Sequence, residues 1–301
     1  MPELPDVTVY VEALGRYLEG HTLQRVRVSS PFLVRSYDPP MSEAHGRRVE
    51  GFRRVGKRIV WDLEDDLHLV LHLMIAGRLR WKPASFKVPR RTGLAAFDFE
   101  HGCVLLTEQG SKKRASLYLV RGDDGVREHD PGGAEVFEMS AEEFRTVLRA
   151  KNHTLKRALT DPRILSGIGN AYSDEILHRA GLSPFLRTAD AEKATFERLH
   201  GAVLEVLTEW TDRLRNQVGE SFPDKVTAFH DAMAVHGKYG KPCPSCSAPV
   251  QRIVYAANES NYCAQCQTGG KLLRDRALSQ LLRDDWPKTL EEMEVRKRAN
   301  G

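Results

Sequence analysis

Two groups of residues carry chemistry in their types and spacing. The first opens the chain, in MPELPDV, residues 1–7. If Met1 is removed, Pro2 presents a free secondary amine with the Glu3 carboxyl beside it. An α-amine titrates near ~8, so a useful fraction is neutral at physiological pH, unlike a lysine near ~10.4. The second group is Cys243, Cys246, Cys263 and Cys266, spaced Cys-x2-Cys-x16-Cys-x2-Cys. Each CxxC sets two thiolates on one side of a tight turn, and a tetrahedral zinc ion takes four. With all four positions filled, the expectation is one structural Zn2+, not a catalytic one. The segment between the knuckles, SAPVQRIVYAANESNY, reads as a β-hairpin too small to fold without the ion.

A weaker signal lies in LSGIGNAYSDEILHRAGL, residues 165–182. Gly167 and Gly169 permit close backbone approach, and Asn170 stands where the next helix begins. The unpaired N–H groups and dipole of a helix N-terminus suit a phosphate, and Lys156 and Arg157 add charge nearby. The same glycines also suit an ordinary turn.

The elements that must hold these residues follow from periodicity. Residues 5–18 read as a helix, with Val7, Tyr10, Val11, Leu14 and Leu18 at helical spacing and Pro5 in the first turn. Short alternating strands follow to about residue 121, among them RVRV, Ile59-Trp61-Leu63 and Leu67-Leu69-Leu71. Residues 122–137, GDDGVREHDPGGAEVF, read as a domain boundary. Helices then take over. Ser140 and Glu143 form a capping-box pattern, and residues 191–216 form a long amphipathic helix with Leu199, Val203, Leu204, Leu207 and Trp210. The fold class is α+β multidomain. It comprises an N-terminal β-sandwich with a leading helix (1–128), a helical domain (129–238), a zinc-finger β-hairpin (239–268) and a C-terminal helical extension (269–301).

Composition narrows the function classes. The chain has 301 residues, 41% hydrophobic, enough for sizeable cores. No apolar run reaches the roughly 18 residues of a membrane span, and no secretory signal is visible, so a cytoplasmic location is expected. The net charge of +4 is only mildly basic. Local clusters say more: Arg53, Arg54, Lys57 and Arg58, then Lys112, Lys113 and Arg114. Cys103 lies alone in an apolar strand, as a small hydrophobe.

PELPDV at the start, SGIGNAYSDEIL in the middle and a four-cysteine finger near the end, in that order, together resemble the formamidopyrimidine-DNA glycosylase/endonuclease VIII family. The resemblance runs to about residue 268. It implies a β-sandwich, a helix–two-turn–helix domain and a zinc finger. It also implies a bifunctional DNA glycosylase and abasic-site lyase of base excision repair, monomeric and acting on oxidised bases in double-stranded DNA. Pro2 takes the place of the family's nucleophile, Glu3 of its acid/base group, and Lys57 of a lysine contacting DNA at the reaction centre. Gly169 and Asn170 match the phosphate grip beside the lesion. His72 and Gly77 match a strand motif.

The departures bear on DNA contact. Asn258 stands where relatives carry a finger arginine. Met74 or Ile75 takes the place of the methionine that fills the gap left by an everted base. An Arg-Phe loop is replaced by QGSKKRAS, where Lys112, Lys113 and Arg114 form a cationic hairpin tip without an aromatic wedge. VGESFPDKVTAFHDAMA is shorter than the loop that covers 8-oxoguanine. After the finger, Leu272, Leu273, Leu278, Leu281 and Leu282 suggest a docking helix. These departures keep an alternative open: a relative that binds damaged or branched DNA with altered or lost base excision.

Overall fold

The computed structural model describes residues 1–110, 112–224, 226, 230–255, 258–274 and 287–299. The chain forms two compact units, residues 1–133 with 208–228, and residues 134–207 with 229–301.

The first unit opens with helix α1, Leu4–Leu18, whose buried stripe carries Val7, Tyr10, Leu14 and Leu18. Nine strands follow: β1 Thr22–Leu23, β2 Arg25–Val28, β3 Arg47–Val55, β4 Arg58–Leu63, β5 Leu67–His72, β6 Gly77–Lys82, β7 Gly93–Phe99, β8 Gly102–Glu108 and β9 Ser116–Arg121. They pair into a five-stranded sheet, β1-β3-β4-β5-β9, and a four-stranded sheet, β2-β7-β8-β6. Alternation sends Ile59, Trp61 and Leu63 of β4 into a shared core with Leu79, Phe97 and Leu106 of the other sheet. Trp61 packs on Phe97 with ring centroids 4.7 Å apart.

Residues 122–137, read from the sequence as a domain boundary, include regular structure. Helix α2, Gly122–Arg127, forms at once after β9. Asp123 and Asp124 in its first turn and Arg127 in its last suit the two ends of a helix dipole. Val126 then covers Val60 and Val70 on the outer face of the five-stranded sheet. A segment of turn-forming residues becomes helical because an apolar patch needs covering.

The second unit holds α3 Ala141–Arg149, α4 Leu155–Thr160 and α5 Asn170–Arg179. Ser140 and Glu143 make the reciprocal capping box at the start of α3. Helix α6, Lys193–Val218, begins in this unit and ends in the first. A hairpin follows, β10 Gln251–Tyr255 and β11 Asn258–Tyr262, then α7 Ala264–Thr268 and α8 Leu290–Ala299. Leu278, Leu281 and Leu282 lie outside the described residues. Leu272, Leu273 and Leu290 pack against Ile253 and Tyr262 of the hairpin. The Leu273 N–H donates to the Tyr262 hydroxyl at 2.8 Å, so the extension is tied to the finger. The α+β class expected from the sequence is the class observed. Among the described residues, no helix is long and apolar enough to cross a membrane.

Candidate active site and nucleic-acid interface

Within the first unit, the chain start is buried. Pro2 and Glu3 are buried ahead of α1, and Met1 is half-buried. Glu3 is the N-cap of α1, and Asp6 completes a capping box with it. The Glu3 N–H donates to Asp6 Oδ2 at 2.8 Å. This reciprocal pairing fixes the Glu3 backbone and carboxyl together. The Met1 amine is pushed below its ordinary value, first by burial. Glu3 and Asp6 oppose that shift, while Arg78 and Lys57 reinforce it. Lys57 itself is only 9% exposed, in the turn between β3 and β4. Glu3 and Lys57, which the family resemblance sets at one site with Pro2, both act on the Met1 amine.

Two members of that environment were missed. Asp6 is wholly buried, and its carboxyl is pushed up to about 7, chiefly by burial. Among the described residues, its Oδ1 has no hydrogen-bond partner. Arg78 enters from β6, where its guanidinium donates to the Gly77 carbonyl at 2.6 Å. The signal for Asp6 was its N3 position after Glu3. For Arg78 it was the place directly after Gly77 in the strand motif.

The turn between β5 and β6 presents the gap-filling candidates. Met74 adopts φ 52°, and Ile75 is 56% exposed. The turn is closed by the Gly77 N–H donating to the Leu73 carbonyl at 2.9 Å. A Cβ at Gly77 would lie 2.2 Å from that oxygen, so the residue must be glycine. His72, ending β5, is held neutral by burial and by Arg58 and Lys57, with its pKa near 4.

The β8–β9 loop is pinned by a buried carboxylate. Glu108, 1% exposed, accepts from the N–H of Arg114 at 2.9 Å and of Ala115 at 3.1 Å. Lys113 Nζ donates back to the Glu108 carbonyl. The expectation that three cations stand together at the tip is therefore corrected: Lys112 and Arg114 are exposed, and Lys113 is half-buried and engaged in the loop base.

In the second unit, Gly169 caps α5 and Asn170 is its first residue. Asn170 Nδ2 donates to the Glu259 carbonyl of β11 at 2.6 Å. Lys156 is not a free phosphate ligand. Its Nζ lies 2.5 Å from Asp174 Oδ1 and donates to the Asn170 carbonyl at 2.8 Å. Asp174 also faces His236 Nδ1 at 2.8 Å, and accepts from the Ser260 hydroxyl at 2.8 Å and the Asn261 N–H at 3.0 Å. Burial alone would raise its pKa; Lys156 and His236 hold it below the ordinary value. Glu175, next along α5, accepts three backbone N–H groups from Ala234, Val235 and His236. Helix α5 thus anchors the finger hairpin and the segment before it. Asn258 begins β11 and pairs with Tyr255.

The four cysteine sulfurs lie within 4.8 Å of one another. Cys243 and Cys266 are 3.9 Å apart, and Cys246 and Cys263 are 3.4 Å apart. Tetrahedral Zn–S bonds of about 2.3 Å set sulfurs about 3.8 Å apart, so the cluster fits one zinc ion. His178 Nε2 approaches Cys243 Sγ at 3.2 Å, which suits an N–H supporting a thiolate ligand.

Known proteins match this layout segment by segment. Three family profiles align: the formamidopyrimidine-DNA glycosylase N-terminal domain over residues 1–113, the formamidopyrimidine-DNA glycosylase H2TH domain over 132–217, and the zinc finger found in FPG and IleRS over 240–269. The chain is 31% identical over 279 residues to the formamidopyrimidine-DNA glycosylase of Thermus thermophilus, covering 90% of this chain and 100% of the relative. It belongs to the formamidopyrimidine-DNA glycosylase family. The family member from Desulforamulus reducens is 30% identical over 280 residues, covering 89% of this chain and 99% of its own. Among solved structures, MutM in complex with carbocyclic 8-oxo-G containing DNA shares the fold with a TM-score of 0.79 at 23% identity, over 89% of this chain and 100% of that one. Lactococcus lactis Fpg in complex with an abasic site containing DNA does so at 0.78 and 23%, over 88% and 99%. The finger of this family member is a structural zinc site.

Proposed function

We propose that this chain is a bifunctional DNA glycosylase and abasic-site lyase of base excision repair, with Pro2 as nucleophile after removal of Met1. The observation that carries the reading is the buried chain start: Pro2 and Glu3 are buried ahead of α1, and burial, with Glu3, Arg78, Asp6 and Lys57 all acting on it, lowers the pKa of the Met1 amine one residue away. The neutral amine attacks C1′ of the deoxyribose, the bond to the damaged base breaks, and the base leaves with the electron pair. The nitrogen then loses its proton and the C1′–O4′ bond breaks, O4′ taking a proton from Glu3; the iminium so formed acidifies the C2′ protons, and successive β- and δ-elimination break the strand on either side. Glu3 moves protons at the opening sugar ring. Lys57 steadies the adjoining phosphate. Zinc supplies no step; Cys243, Cys246, Cys263 and Cys266 hold it to order the finger.

The same reading assigns residues 1–128 to catalysis, 129–238 to DNA binding, 239–268 to the finger and 269–301 to an extension. Gly169, Asn170, Met74, Ile75, Lys112, Arg114 and Asn258 contact duplex DNA, and Lys113 shapes the loop. The chain acts as a monomer in the cytoplasm, on the nucleoid if the host is bacterial. Borohydride trapping on a duplex with one abasic site is the test. A covalent adduct mapped by mass to Pro2, and lost in Pro2→Gly, is expected. Tight binding without an adduct would instead support a relative that grips damaged DNA without excising the base.

A further inference from the structure

Among the described residues, strand β6 is an edge strand paired only with β8. Leu79 and Trp81 point into the core, so Arg78, Arg80 and Lys82 leave the sheet on its other face. At about 3.3 Å per residue, these cations stand roughly 7 Å apart. Their cross-strand partners are Thr107, Leu105 and Cys103, none of them acidic. Among the described residues, no carboxylate pairs with any of the three within salt-bridge distance, whereas Arg27, Arg47, Arg53 and Arg121 of the same unit are all held by aspartate or glutamate. Arg80 Nε is buried with no acceptor. Lys82 meets the Phe86 ring, with Nζ 5.8 Å from its centroid. Like charges closer than the Debye length of about 8 Å repel one another. Such a row is relieved by a string of anions. Its first member, Arg78, also acts on the Met1 amine, at the chain start proposed above as the reaction centre.

We propose that Arg80 and Lys82 form a phosphodiester-binding track along β6, gripping the DNA backbone beyond the reacting nucleotide. This rests on the function proposed above. The ligand chemistry is a run of phosphodiesters with no base readout. Arg80 supplies a guanidinium that no carboxylate among the described residues occupies, and Lys82 supplies a point charge further along the strand.

The test is the double variant Arg80→Gln/Lys82→Gln, which keeps much of each stem over Leu105 and Cys103. Binding to an abasic-site duplex is titrated across a salt series. Each lost phosphate contact removes about 0.9 from the slope of log K against log salt. The expected slope change is therefore close to 1.8, with affinity reduced tenfold or more at low salt and equal losses on undamaged duplex. The control Arg121→Gln/Arg127→Gln removes the same charge from residues already paired to Glu43 and Asp124. An unchanged slope in the β6 variant, or an equal change in the control, overturns the track while leaving the glycosylase reading intact. A wild-type chain that binds no duplex and gives no borohydride adduct overturns both. Thermal melts matching wild type confirm that the loss is not unfolding; if the double variant melts early, Lys82→Gln alone must still lower the slope by about 0.9.

Discussion

The Glu3 N–H and Asp6 Oδ2 are 2.8 Å apart, and Asp6 is wholly buried. Glu3, proposed above as the acid/base group, is thus held by a second carboxyl whose pKa is pushed up to about 7. An unfolded aspartate titrates near ~3.9, so folding favours the protonated form. Below about pH 4 both states carry the proton, and the native state incurs no ionisation penalty there. As pH rises towards 7 the unfolded state loses its proton first, and stability falls.

Asp6→Asn removes that pH dependence. The variant should be more stable than wild type at pH 8, by about 2–4 kcal/mol given ~1.4 kcal/mol per pKa unit. The advantage should vanish near pH 4. Urea unfolding at the two pH values measures it. An equal difference at both would mean that Asp6 is not protonated preferentially in the fold.

Asp174 offers a stability test in the second unit. It is 1% exposed and answers Lys156, His236, Ser260 and Asn261 together. Asp174→Ala leaves a lysine only 15% exposed without its counter-ion. Breaking a buried pair in this way costs about 3–5 kcal/mol. The loss should appear as a lower urea midpoint, and a variant within 1 kcal/mol of wild type would show that water replaces the carboxylate.

The β8–β9 loop makes a graded prediction. Because Lys113 is engaged at the loop base, Lys112→Ala/Arg114→Ala should flatten the salt slope of duplex binding by about 1.8, and adding Lys113→Ala should change it little more. A further drop of nearly 0.9 on adding Lys113→Ala would show that this lysine leaves Glu108 for a phosphate.

Metal removal should unfold the finger and leave the sandwich folded. Freshly purified protein should carry close to one zinc per chain. Chelation should weaken duplex binding while Trp61, packed on Phe97, keeps its buried fluorescence. A red shift of that emission on chelation would mean that the two cores are not independent.

Some of this was legible in the sequence because its logic is local. The four cysteines sit in two short knuckles whose spacing states their purpose. Helix α1, the Ser140–Glu143 cap and the strands up to β9 follow from periodicity. Asp6 and Arg78 were not legible: their properties come from burial and from a strand that meets α1 at a distance in sequence, where the Tyr10 hydroxyl lies 3.4 Å from the Leu79 carbonyl. Lys156 and Lys113 were misread for a related reason. A cation looks free in a sequence until the fold supplies its acceptor, and here Asp174 and the Glu108 carbonyl do so. Helix α2 was missed because GDDGVR has turn composition and becomes helical only against Val60 and Val70.

The short bond from Asn170 to the Glu259 carbonyl has a thermodynamic corollary. It joins a residue assigned to the DNA to a hairpin whose order depends on the metal. If zinc steadies Asn170 for its phosphate, reciprocity requires the duplex to steady the zinc by the same factor. Loss of the ion to a competing chelator should therefore slow when DNA is bound. The genome would then act as a guardian of the enzyme's metal, and idle molecules, not those engaged on a lesion, would be the ones that surrender it under zinc starvation.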